Sequence, residues 1–287
     1  MKKFYSTAMM LAMIVAALGF VACGDDDEDD VFGGGENGST PSVGKRLVRM
    51  SCESYTDYTI DLYKDEYNVY SLTLSYDDKG RIIRIGGDEL CKVIYDELYI
   101  FFEGYGFNIQ HTLYNGKIVE STLSMKEFGN LEAKNIYEDD YLIERTYINS
   151  TSHVIPNYIE YFWNDGNIVK MEKEYYNSNE HGETIIEYSK YKDYNGFIYS
   201  LISMSLNIEE AFNYIETVGY LGKCSKNLPL KRISTTYSSN GNVVTRDEYN
   251  YEWEIENNLP TKVTINWETY GYMNGPKGMY IYTFEWE

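Results

Sequence analysis

Between Val243 and Glu256 the chain alternates with a period of two. One face carries Val243, Thr245, Asp247, Tyr249, Tyr251, Trp253 and Ile255, and the other Arg246, Glu248, Asn250, Glu252, Glu254 and Glu256. Successive side chains of a strand point to opposite faces, so the pattern predicts a strand packed on one side and wet on the other. The same alternation runs through Tyr70, Leu72, Leu74 and Tyr76, through Val263, Ile265 and Trp267, and through Tyr280, Tyr282, Phe284 and Trp286. Turn dipeptides punctuate these runs: Asn115-Gly116, Asp165-Gly166, Asn195-Gly196, Asn240-Gly241 and Asn274-Gly275, with Asp78-Lys79-Gly80 as a longer version. Each supplies the positive φ of a tight hairpin. The expected fold is all-β, a long-stranded antiparallel meander forming a curved sheet or incomplete barrel.

Laid over one another, the hairpins share a weak repeat: "YDDKGRIIRI" from Tyr76, "YNGKIVES" from Tyr114, "WNDGNIVKM" from Trp163 and "YSSNGNVVTR" from Tyr237. An aromatic, a polar turn with glycine, two aliphatics and polar alternation recur, and a hairpin grammar explains this without shared function. One segment departs from the period. In "NIEEAFNYIETVG", Asn207 can cap, Glu210 answers three residues on, and Ile208, Ala211, Phe212 and Ile215 fall on one helical face. This spacing predicts a short helix over 207–218, closed by Gly219.

The first forty-four residues follow other rules. Lys2 and Lys3 precede an apolar run from Met9 to Ala22, the length of a signal-peptide core and short of the roughly 20 residues that span a bilayer. Residues 1–22 are read as a cleaved signal. The run "LGFVAC" resembles the lipobox of bacterial lipoproteins, with Phe20 as a departure, and implies that Cys23 is the lipid anchor. Several acyl chains there would bind a membrane stably where one binds marginally. Asp25, Asp26, Asp27, Glu28, Asp29 and Asp30 repel one another and stay solvated. An acidic run behind a lipidated cysteine resembles the surface-export signal of Bacteroidota lipoproteins and implies an outer membrane protein facing the cell exterior. The alternative is a polar spacer facing the periplasm. Gly33 to Thr40 is linker, so 23–44 forms a tether and 45–287 a single domain.

Charge narrows the partners. The chain carries a net charge of −20, about −15 of it on the domain once signal and tether are set aside. That sign disfavours nucleic acid and anionic headgroups, leaving the membrane to be met through the lipid alone. Cys52, Cys91 and Cys224 lack C-x-x-C spacing and allow one disulfide at most. His111, His153 and His181 are scattered, so neither a metal nor a cofactor is expected. No nucleophile, P-loop or zinc-protease motif occurs.

What exceeds background is aromatic: 31 tyrosines and 4 tryptophans. Tyrosine joins a flat apolar face to a polar tip, which suits half-buried strands and also surfaces that hold sugars or proteins. Tyr249, Tyr251, Trp253, Trp267, Tyr280, Tyr282 and Trp286 are the candidate binding set. The expected function is a monomeric, surface-anchored, non-enzymatic binding or scaffold module for a glycan or a protein partner. The alternative is a glycan-processing hydrolase with two carboxylates.

"GRIIRI", "GYLGKCSKNLPLKRI", "NNLPTKV" and the closing "YIYTFEWE" together resemble a family of Bacteroidota lipoproteins with a porin-like domain of unassigned function. The resemblance implies a curved antiparallel sheet or incomplete barrel and brings no catalytic residues. It does not imply a pore. Met171, Lys173 and Tyr175 mix charge with apolar groups on one face and Asp247 interrupts the best apolar face, whereas a membrane barrel turns an apolar face to lipid.

Overall fold

The computed structural model describes residues 46–57, 66–86, 91–104, 107–125, 129–148, 156–175, 180–193, 220–271 and 275–287. The helix expected over 207–218, the signal, Cys23 and the acidic run lie outside the described residues. The strands are β1 (Leu47–Asp57), β2 (Glu66–Tyr76), β3 (Ile82–Ile85), β4 (Cys91–Tyr95), β5 (Tyr99–Gly104), β6 (Phe107–Tyr114), β7 (Lys117–Met125) and β8 (Gly129–Glu138). They continue as β9 (Tyr141–Ile148), β10 (Pro156–Asn164), β11 (Asn167–Tyr175), β12 (His181–Lys192), β13 (Asn227–Tyr237), β14 (Val243–Glu256), β15 (Leu259–Gly271) and β16 (Lys277–Trp286). Each pairs antiparallel with its neighbours in chain order, and β1 pairs with β16. The meander is therefore a closed barrel, where a curved sheet or incomplete barrel was expected. Closure leaves neither β1 nor β16 with an unpaired row of backbone groups. Cys52 sits between Tyr70 of β2 and Tyr282 of β16, and Arg46 and Glu287 exchange backbone hydrogen bonds of 2.6 and 2.8 Å.

The two rims differ. At one, short turns follow the even strands from β2 to β10 and β14, with positive φ at Asn115-Gly116, Asp139-Asp140, Asp165-Gly166 and Asn257-Asn258, while the long connection from β12 to β13 also returns here. Both ends of the barrel chain lie here, and so does the segment 220–226. This strap hydrogen-bonds across three hairpins, with Ile118 N donating to Tyr220 O, Lys223 N to Asp140 O and Lys226 N to Gly166 O. Gly222 takes a φ of 77°, and a Cβ there would collide with the Asp140 carbonyl oxygen. The other rim joins each odd strand to the even strand that follows it.

The tight-turn rim is also ringed by aromatic clasps. Near the end of an even strand, an aromatic donates its hydroxyl or indole N–H to a carbonyl in the first three residues of the preceding odd strand. Tyr76 donates to Leu47, Tyr95 to Ile82, Tyr137 to Ile118, Trp163 to Leu142 and Tyr188 to Ile168, all at 2.7–2.9 Å. Trp253 donates to Pro229 and Trp286 to Pro260, each at 2.7 Å. In β2, β8, β10 and β12 the register slips immediately before the clasping residue. A bulge re-aims the side chain that follows it, here toward the interior. Two of the four repeat aromatics, Tyr76 and Trp163, are clasps of this kind, and the two Asn-Leu-Pro motifs supply two of its acceptors.

The interior is filled. Sixteen strands on a round section would leave an aqueous channel. Instead Ile100, Phe102, Ile118, Val263, Ile265 and Tyr282 are fully enclosed within one apolar cluster that runs around the barrel. Burial pushes the Cys91 thiol up to about 12, so it is no nucleophile.

A polar network crosses this core. His111 Nδ1 and Ser121 Oγ are 2.9 Å apart, Arg145 Nε donates to Asn135 Oδ1, and Asn135 Nδ2 donates to the Ile118 carbonyl. Burial, aided by the Arg145 charge, pushes His111 down to about 3. The folded chain thus holds His111 neutral while the unfolded chain protonates it below about 6.5. The stability from this group is present above pH 6.5 and lost as pH falls toward 3, at about 1.4 kcal/mol per pH unit. Urea unfolding at pH 7 and pH 5 is expected to differ by roughly 2 kcal/mol, with most of that difference removed in His111→Gln.

Candidate functional site

The outer face is wet. Glu120 on β7 pairs with Lys134 on β8 at 3.4 Å, Lys170 on β11 with Glu183 on β12 at 2.9 Å, Lys262 on β15 with Glu254 on β14 at 2.7 Å, and Arg49 on β1 with Glu285 on β16 at 3.4 Å. Such belts on a lipid-facing wall would cost about 2–4 kcal/mol for each Lys or Arg near the bilayer midplane. The outer wall is built for water.

The aromatic set drawn from the alternation points the other way, into the barrel. Tyr251 and Tyr282 are buried, Trp253 and Trp286 are rim clasps, and Tyr249 lies beneath the Arg232 guanidinium. Trp267 stacks on Tyr280 at 6.0 Å. These residues form an interior wall, not an open face, because the packed face that alternation finds is the one a barrel turns inward. Trp267 also lines a concavity.

That concavity is an outward groove of about 590 Å³ at the far rim, crossing β14, β15, β16, β1 and β2. Tyr55 and Tyr67 lie directly opposite on β1 and β2, 39% and 55% exposed, with ring centroids 4.7 Å apart and a 38° tilt. Both phenols donate to Glu53 Oε2 at 3.3 Å. Tyr270 donates to Glu268 at 2.7 Å. Two outward amides, Asn250 and Asn266, are cross-strand partners, and so are Glu248 and Glu268. Gly278 keeps the wall thin: a Cβ there would collide with the Tyr55 carbonyl oxygen and lie 2.8 Å from the Trp267 indole.

Electrostatics divide the groove's carboxylates. Burial pushes Glu248 up, but hydrogen bonds and charge from Lys231 at 3.2 Å and Arg246 at 2.5 Å outweigh it and hold the carboxyl below the usual range. It stays ionised and is unsuited to donate a proton. Partial burial and the neighbouring Tyr55 and Glu53 push the Tyr67 phenol up, while the bond to Glu268 does the same for Tyr270, so both remain hydroxyl donors. Among the described residues no three His, Cys, Asp or Glu side chains converge as a metal site.

Sequence reasoning passed over Tyr55, Tyr67 and Tyr270. The signal was present: Tyr55 alternates with Glu53 and Asp57, and Tyr270 with Glu268 and Asn266, which puts aromatic rings on wet faces.

A closed, water-faced antiparallel barrel with a packed interior is the class these features define. No family model matches the chain, and no curated protein does. Solved structures do. A porin-like protein from Bacteroides uniformis ATCC 8492 aligns with a TM-score of 0.60 at 14% identity, over 83% of this chain and 98% of its own. A porin-like protein from Bacteroides vulgatus ATCC 8482 aligns with a TM-score of 0.55, also at 14% identity, over 82% and 97%. At that identity the likeness establishes a shared porin-like fold.

Proposed function

We propose that the chain is a lipoprotein held at the outer membrane through Cys23, displayed on the cell exterior, and acting as a non-enzymatic binding or scaffold module for a glycan or a protein partner. The observation that carries this reading is the pairing of a charged outer wall with a filled interior. A barrel that neither faces lipid nor encloses a passage has its outer surface left to work with, and the groove is where exposed tyrosines converge on that surface. The porin-like fold of the Bacteroides proteins supports an outer-membrane setting. Arg46 lies at the rim opposite the groove, so a tether from Cys23 would leave the groove pointing away from the membrane.

One observation favours the alternative, a hydrolase: Glu248 and Glu268 face each other across β14 and β15 beside Tyr270. The ion pairs on Glu248 hold it ionised and exclude it as the general acid, leaving it only the nucleophile or base role of such a pair.

Surface display is tested through the acidic run. Replacing Asp25–Asp30 with Asn and Gln is expected to leave lipidation intact while protecting the barrel from protease added to whole cells. If wild-type protein on intact cells resists protease as well as the variant does, the barrel faces the periplasm.

A further inference from the structure

Resting on the binding-module reading, we propose that the far-rim groove is a site for a chain of uncharged sugars, with Tyr55 and Tyr67 as its stacking platform. Three features converge there. The first is the platform itself. Elsewhere the barrel's aromatics are mostly clasped or stacked inside, but Tyr55 and Tyr67 expose a tilted pair of rings, and Tyr270 stands across the groove, 44% exposed. Pyranose rings present flat C–H faces that pack on such surfaces, as other apolar faces do on aromatics.

The second feature is the polar complement. Asn250 and Asn266 place two amides side by side on the groove wall, each able to donate and accept. Neighbouring ring hydroxyls of a sugar, themselves donors and acceptors, match that pair. Glu53 and Glu268 fix the phenols by their hydroxyls and keep spare lone pairs for ligand O–H groups.

The third is charge. Lys277, the base in the groove's lining, lies 3.7 Å from Asp57, and Lys231 and Arg246 outside the lining both sit on Glu248, so each of these bases is engaged by an acid. A sulfated or phosphorylated ligand would find no uncommitted cation among these residues and would meet a domain of about −15. Two phenol-bound carboxylates are a modest attraction for a cationic peptide, while the paired amides and stacked rings match a neutral polyol. Five strands at about 4.8 Å spacing make the groove about 19 Å across, which suits several linked sugars.

The purified full chain is titrated by calorimetry with neutral hexasaccharides of the glucan, xylan and mannan classes, with hexalysine and a sulfated hexasaccharide as charged comparators. Binding of at least one neutral hexasaccharide is expected, weakened at least tenfold in Tyr55→Ala/Tyr67→Ala and unchanged in Tyr114→Ala, an exposed tyrosine at the opposite rim. Asn250→Ala/Asn266→Ala serves as an independent second variant should the tyrosine pair misfold. No neutral binding, or binding of a charged comparator alone, overturns the proposal. Neutral binding that both double variants leave intact also overturns the groove assignment while the binding-module reading stands. Release of reducing ends during the titration keeps the groove and overturns the non-enzymatic reading.

Discussion

Phe102→Ala is expected to destabilise the barrel by about 3–5 kcal/mol, read as a lower urea midpoint at unchanged slope. The size of this effect separates a packed interior from a passage. Phe102 points inward from β5, is fully enclosed, and meets the His111 ring edge-on with centroids 5.3 Å apart. Its cross-strand partners Val93 and Ile109 are equally enclosed, so truncation leaves a cavity that rigid strands cannot close. Were Phe102 the wall of a water-filled channel, the same truncation would remove little buried area and cost under about 1 kcal/mol. The matching functional measurement is conductance: the purified protein is expected to give no channels in planar bilayers. Stable single-channel steps, or a Phe102→Ala effect below about 1 kcal/mol, would show that water passes where the structure places the core.

The rim clasps account for part of the aromatic content, four tyrosines and three tryptophans. A barrel of sixteen strands has a long rim whose turns must hold register without neighbours beyond them. Each clasp ties the end of one strand to the start of the previous one across 13–29 residues. One such buried hydrogen bond contributes about 0.5–1.5 kcal/mol, so the ring as a whole is comparable to the stability of a domain. Burial pushes the phenols of Tyr76 and Tyr95 up, which keeps them protonated as donors. Aromatic excess therefore has a structural explanation at one rim, and the rings left over at the other acquire their significance by contrast.

Local order was legible in the sequence; global order was not. The alternation from Val243 to Glu256 placed Tyr249, Tyr251, Trp253 and Ile255 on the packed side, where they lie. Asn115-Gly116 and Asp165-Gly166 marked their hairpins through glycine. Asp139-Asp140 and Asn257-Asn258 make the same left-handed turn with no glycine, relying on the tolerance of Asp and Asn for positive φ, and so were passed over as turns. Closure depends on Leu47 meeting Trp286, a pairing of residues at opposite ends of the barrel that no local pattern encodes. The groove was hidden for a related reason. Tyr55 and Tyr67 meet across the β1–β2 hairpin, Tyr270 of β15 joins them only after closure, and all three sit among acids that made their faces look uniformly polar.

Cys23→Ser is expected to move the protein wholly from the membrane fraction to the soluble fraction and to abolish labelling by a fatty-acid analogue. The expectation follows from the outer wall. A barrel inserted through its strands would stay in the membrane whatever happened at residue 23, because its anchor would be apolar area distributed around the circumference. Here the ion pairs Glu120–Lys134, Lys170–Glu183, Lys262–Glu254 and Arg49–Glu285 interrupt any apolar belt among the described residues, so on the proposed lipoprotein reading attachment would rest on the acyl chains at Cys23. From Gly24 to Gly44 the tether could extend about 70 Å, at 3.3 to 3.6 Å per residue, enough to hold the barrel clear of the headgroups its charge repels. Retention of Cys23→Ser in the membrane fraction after a high-salt wash would show that the barrel itself holds the bilayer. Retention lost in the wash would instead reveal an ionic contact with another membrane component, and in either case the lipid would not be the sole anchor.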